Sequence, residues 1–120
     1  MTSPISTFAA RLSEIVQSWQ AAEGVIYTKI TYGEDIWRVH YVHLTKKGVV
    51  KDAGYGGLQD RHTSRIIQDI IDLQTQTRIR IQQVVLFQGY HKMLIWYGDS
   101  SRCTLFYSHI PEEQAKEAAV

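Results

Sequence analysis

The sequence predicts an α+β fold: an antiparallel sheet of five to six strands with two amphipathic helices packed on one face, in the order α-β-β-β-α-β-β-β-(α). Three observations predict it. Two segments, Ile5 to Trp19 and Ile66 to Leu73, carry apolar residues at helical spacing. Six segments are rich in β-branched and aromatic residues and are punctuated by glycines or polar turn residues. The links between strands in each half are short, which forces neighbouring strands to run antiparallel.

The first helix should begin at Ser3, a capping residue followed by Pro4 at the first helical position. Ile5, Phe8, Leu12, Ile15, Val16 and Trp19 trace one face, and Gly24 ends it. Strands are then expected at Val25–Tyr32, Ile36–Thr45 and Val49–Ala53, with turns at Gly33-Glu34-Asp35 and Lys46-Lys47-Gly48. Gly54, Gly56 and Gly57 break the strand pattern. A second helix follows, capped by Asp60, Thr63 or Ser64. It presents Ile66, Ile67, Ile70, Ile71 and Leu73, and it fades in the polar run from Gln74 to Thr77. Three more strands are expected at Ile79–Gln88, Lys92–Tyr97 and Arg102–His109. Residues 1–110 should form one domain, and 111–120, opened by Pro111-Glu112-Glu113, a short helix or a frayed tail.

The two halves look alike. The segment from Arg11 to Val16 aligns with Arg65 to Ile70 at an offset of 54 residues, and each leads into three strands.

Composition narrows the function. A chain of 120 residues and 13.8 kDa has the length of one domain and can bury about two-thirds of its unfolded surface. At 44% hydrophobic it is globular rather than disordered. Thirteen basic and twelve acidic side chains cancel to +1, so no global field draws it to nucleic acid or an anionic membrane. A single cysteine, Cys103, excludes an internal disulfide and a cysteine-based zinc site. No signal-peptide pattern or long apolar run is present, so the expectation is a cytoplasmic protein without a membrane segment.

Strand alternation exposes a second apolar face. In the second strand Trp37, Val39, Tyr41 and His43 point one way, and Ile36, Arg38, His40, Val42 and Leu44 the other. In the fifth, Met93, Ile95 and Tyr97 oppose Lys92, Leu94 and Trp96. A sheet with one solvated face should alternate more cleanly. The C-terminal helix, a partner protein or a second copy must cover the other face, and a homodimer is the simplest cover.

The stretch from Lys46 to Ile110 resembles a roadblock-type domain. The similar features are the strand Lys47-Gly48-Val49-Val50, the amphipathic helix Ser64 to Leu73, and the meander from Gln82-Gln83-Val84-Val85 through Cys103-Thr104-Leu105-Phe106-Tyr107. The resemblance implies a dimeric, non-enzymatic scaffold that binds or regulates a small GTPase.

Chemistry-bearing residues are sparse. His40 and His43, three apart in a strand, fall on opposite faces and cannot share a metal ion without a bulge. His62, His91 and His109 lie near loops or element ends, and no metal-ligand spacing occurs, so neither metal nor cofactor is expected. Cys103 sits in an apolar strand, and no G-x-S-x-G elbow exists. The loop before the second helix is the best anion site: Gly56 and Gly57 would bring backbone N–H groups to a phosphate, with Arg61, His62 and Arg65 supplying charge.

Three Trp and seven Tyr exceed what a small core needs, and such residues anchor binding surfaces. The first expectation is therefore a non-enzymatic protein–protein interaction module (scaffold, adaptor or inhibitor), homodimeric, with Trp37, Tyr41, Tyr90 and Trp96 as contact residues. The alternatives are a nucleic-acid-binding protein that combines a local Lys/Arg patch with exposed aromatics, and a small enzyme using the Gly54–Gly57 loop.

Overall fold

The computed structural model describes residues 3–44, 50–87, 92–98 and 104–110. The first helix, α1 (Pro4–Glu23), starts as expected. The Ser3 hydroxyl accepts the Ser6 N–H at 3.2 Å, and Pro4 occupies the first turn. It ends at Gly24, whose φ of 68° is the left-handed conformation that glycine adopts without a Cβ clash. The strands β1 (Val25–Gly33), β2 (Ile36–Leu44) and β3 (Val50–Gly56) follow. Then come α2 (Ser64–Thr77), β4 (Arg80–Phe87), β5 (Met93–Gly98) and β6 (Thr104–His109). The expected order of helices and strands holds through β6. Three strands precede α2, where roadblock-type domains have two. The C-terminal segment 111–120 lies outside the described residues.

All six strands form one antiparallel sheet in the order β3-β2-β1-β4-β5-β6. Each meander lies flat, strand beside strand. The two meanders join where β1 pairs with β4, from Tyr27↔Phe87 to Thr31↔Gln83. The order is therefore symmetric about that seam, in keeping with the likeness of the two halves.

Both helices cover the same face. Phe8, Leu12, Val16 and Trp19 of α1 meet Ile66, Ile67, Ile70 and Leu73 of α2 over Ile30, Val39, Val84, Met93 and Ile95 of the sheet. Each such buried side chain contributes about 1.5–3 kcal/mol relative to exposure. Two polar side chains tie the layers together. Trp19 donates its indole N–H to the His62 carbonyl at 2.9 Å. The buried Gln20 donates from Nε2 to the Thr28 hydroxyl at 2.9 Å and to the Leu86 carbonyl at 3.1 Å, bracing the seam.

Two boundaries differ from expectation, each for a local reason. The second helix does not fade at Gln74. The backbone ladder continues through the polar run to the Arg78 N–H bond with the Gln74 carbonyl at 2.7 Å, with the Thr75 and Thr77 hydroxyls donating back to the Ile71 and Leu73 carbonyls at 3.0 and 2.7 Å, and the helix ends where Arg78 turns left-handed. The third strand does not stop at Ala53. Gly54 and Gly56 belong to it because their missing side chains are where other groups pack: the Tyr41 ring at Gly54, and Asp60 with Thr63 at Gly56.

Candidate functional site

The face turned away from the helices is the candidate site. Ladder register and strand alternation assign its members row by row. One row runs Tyr55, His40, Lys29, Val85, Leu94, Ser108, and a second runs Arg38, Thr31, Gln83, Trp96, Phe106. A third, shorter row holds Ala53, Val42, Tyr27 and Phe87.

Aromatic rings dominate this face. Phe87 meets Tyr27 at 6.1 Å between centroids, and Tyr27 meets His40 at 5.6 Å. The His40 ring stacks on Tyr55 at 4.5 Å with the planes 8° apart. These four rings cross β4, β1, β2 and β3 in a continuous line. On β5 and β6, Trp96 and Phe106 form a second pair at 5.1 Å. Val85 and Leu94 lie between the two groups. Tyr55 is 75% exposed and Phe106 54%. Lys29 and Arg38 add positive charge, and among the described residues of this face there is no carboxylate.

The four contact residues expected from sequence are separated by this geometry. Trp96 lies on the open face. Trp37 is 8% exposed, buried in the core under the helices, and Tyr41 packs against that core. Tyr41 also meets Trp19 edge-on at 5.8 Å. These two rings belong to the core because α1 and α2 lie on their side of β2. Tyr90 lies outside the described residues. Tyr27, Phe87 and Phe106 were not singled out from sequence as contact residues, and His40 was weighed there only as a metal ligand. The alternation of β2 already put His40 on the second face, but gathering the others requires knowing that β1 pairs with β4, fifty-odd residues away.

The loop before α2 does not form a phosphate cradle. A Cβ at Gly56 would fall on the Asp60 carboxylate and the Thr63 hydroxyl, so this carboxylate fills the space beside the glycine. Asp60 accepts the His62 N–H at 3.2 Å and the Thr63 hydroxyl at 3.4 Å, while the Thr63 hydroxyl also donates to the Gly57 carbonyl at 2.9 Å. A Cβ at Gly57 would lie 3.0 Å from the Trp37 carbonyl. His62 faces Glu23 at 3.5 Å, and Arg61 and Arg65 are exposed. The loop satisfies its own donors with its own acid, which places negative charge where an anion would sit.

His40 and His43 fall on opposite faces as expected. The Nδ1 of His43 lies 3.2 Å from the Gly24 carbonyl. Among the described residues no group of three His, Cys, Asp or Glu side chains could hold a metal ion. Cys103 and His91 lie outside them. His109 is partly buried at the end of β6, its Nε2 has no hydrogen-bond partner in the described structure, and burial pushes its pKa below the usual imidazole value. No helix is long and apolar enough to cross a membrane among the described residues. Comparison with protein-family models, curated proteins and solved structures finds no match to this chain.

Proposed function

We propose that the protein is a small non-enzymatic interaction module, a scaffold, adaptor or inhibitor, that docks another protein on its open sheet face. The observation that carries this reading is the six-ring aromatic surface with Val85 and Leu94 at its centre, opposite the two helices. Apolar surface of this kind on a small domain marks an interaction site, and Trp and Tyr are the usual anchors. A second copy of the chain, docked face to face about a two-fold axis through β1, would set Lys29 against Lys29 with no acid among the described residues of either face to pair with them. A different protein bearing carboxylates at those positions meets no such repulsion. The homodimer expected from sequence is thus the less favoured occupant of this face. The roadblock resemblance would make the partner a small GTPase.

The test is light scattering over a hundredfold concentration range, together with capture of partners from lysate by the wild type and by Trp96→Ala and Phe106→Ala. A monomer whose captured partner is lost in both variants supports the reading. The expected loss is about 2 kcal/mol, roughly 30-fold in affinity. A dimer that persists on dilution and is broken by Phe106→Asp assigns the face to a second copy. Capture and mass untouched by all three changes would overturn the reading.

A second reading is single-stranded nucleic acid, favoured by aromatic rings beside Lys29 and Arg38 with no carboxylate among the described residues of the face. It predicts binding of oligonucleotides that weakens steeply with salt. No binding at low salt ends it.

A further inference from the structure

A separate site opens away from the aromatic face, where α2 ends beside the β1–β2 hairpin. It is a cleft of about 1240 Å³, with Ile71, Gln74, Thr75 and Arg78 of the helix end on one side and the ends of β1, β2, β4 and β5 on the other. Its wall is apolar: the Tyr32 and Trp37 rings lie 4.7 Å apart across the hairpin, beside Ile71 and Ile81. Its rim is cationic, from Arg78 and Arg80. Among the described residues no carboxylate lines it, and neither guanidinium has an acid within salt-bridge distance. Asp35, which is not among the lining residues, accepts the Tyr32 hydroxyl at 3.2 Å.

The amide side chains reinforce the donor character. Gln74 accepts the Ile81 N–H through Oε1 at 2.7 Å. A backbone amide only donates, so this bond fixes the orientation of the carboxamide and leaves its NH₂ group as a donor. Gln82 uses its Oε1 for the Thr104 hydroxyl at 3.0 Å, which leaves its NH₂ group likewise. The C-terminus of α2 contributes about half a negative charge at the cleft, against two full positive charges from the arginines. Arg78 is also held at a φ of 62°, where glycine would sit without strain.

We propose that this cleft binds a small anionic ligand, a carboxylate or phosphate attached to an aromatic ring. Arg78 and Arg80 hold the anion, with the Gln74 and Gln82 amides as further donors, and the ring rests on the exposed Tyr32 ring, which the buried Trp37 backs. The forked donors of a guanidinium suit both anions. This assignment is independent of the open-face reading, since the cleft shares no residue with the aromatic surface.

The test is titration of the isotope-labelled protein with phenyl phosphate, benzoate and inorganic phosphate, following the Trp37 indole and arginine Nε resonances. Phenyl phosphate or benzoate should give a saturable shift confined to the cleft, at least about tenfold tighter than inorganic phosphate, and the tighter of the two names the anion. Arg78→Gln and Arg80→Gln should each weaken binding about 10- to 100-fold, as loss of a charged hydrogen bond does. Both side chains are exposed, so the backbone spectrum should remain that of the folded protein. The proposal is overturned by any of three results: no saturation at millimolar ligand, shifts that survive both arginine changes, or inorganic phosphate binding as tightly as the ring-bearing ligands.

Discussion

The ring of Tyr41 occupies the space that a side chain at position 54 would need. A Cβ on Gly54 would lie 2.5 Å from both Cζ and Oη of that ring, directly across the β2–β3 ladder. The ring has little freedom to retreat, because Trp19 and His43 meet it edge-on at 5.8 and 5.4 Å. Gly54→Ala should therefore destabilise the fold by about 1–3 kcal/mol through overpacking. Adding Tyr41→Leu should return part of that loss, giving a coupling of at least about 0.5 kcal/mol in a double-mutant cycle. Additive losses in urea titrations would show that the ring yields freely.

Gln20 holds α1 to the sheet at its seam. Its carboxamide is 4% exposed and serves partners on both β1 and β4. Gln20→Ala strips a donor from a buried hydroxyl and a buried carbonyl, so the expected cost is about 2–3 kcal/mol. Thr28→Val in that background should be nearly silent, because the hydroxyl has already lost its partner. Chemical denaturation of the two variants and their combination measures this directly.

The β1–β2 hairpin carries the wrong residues for its own turn. Glu34 and Asp35 both sit at positive φ, 53° and 62°, between the paired Gly33 and Ile36. Two-residue turns of this shape favour Asn-Gly, and left-handed backbone costs other residues about 1 kcal/mol each. The double change Glu34→Asn with Asp35→Gly should raise stability by about 1–2 kcal/mol, read as a higher Tm. A lower Tm would mean that the acidic pair has compensating contacts, among them the Asp35–Tyr32 bond.

His109 makes stability depend on pH. Burial lowers its pKa in the folded state from the ordinary value of 6.5. Above 6.5 both states are neutral at this site and it contributes no slope. As pH falls through 6.5, the unfolded chain takes up a proton that the folded chain refuses, so stability declines until the folded pKa is reached. The variant His109→Gln should flatten the profile between pH 8 and pH 5.5 relative to the wild type. Parallel profiles would show that the imidazole is solvated in the folded state.

The helices, the strands and the two-faced character of the sheet were legible because each depends on spacing within one segment. Ser3 with Pro4, the apolar stripe of α1 and the alternation of β2 are local signals, and each survived. The contents of the candidate site were less legible. Trp37 and Tyr41 alternate as strand residues on either reading, and only the placement of both helices over their side of β2 makes them core. Tyr27 and Phe87 meet through the β1–β4 pairing, a contact between segments that no local pattern links. Gly54 and Gly56 look like breakers in sequence, and their strand character emerges only when Tyr41, Asp60 and Thr63 arrive to fill the space beside them.

The β1–β4 seam has a consequence for the chain as a polymer. Within each half every strand pairs with its sequence neighbour, so a single ladder joins the halves within the sheet, supported by α1 packed on α2 and β6 and by the Gln20 and Trp19 hydrogen bonds. A half from one molecule can therefore seat against the opposite half of another and reproduce every native pairing, which is domain exchange with only the connector at 57–63 rearranged. The Asp60 carboxylate folds that connector by accepting the His62 N–H and the Thr63 hydroxyl. Loosening it with Asp60→Ala is thus the change that would let two chains trade halves, and a doubled mass with an unaltered sheet would record the trade.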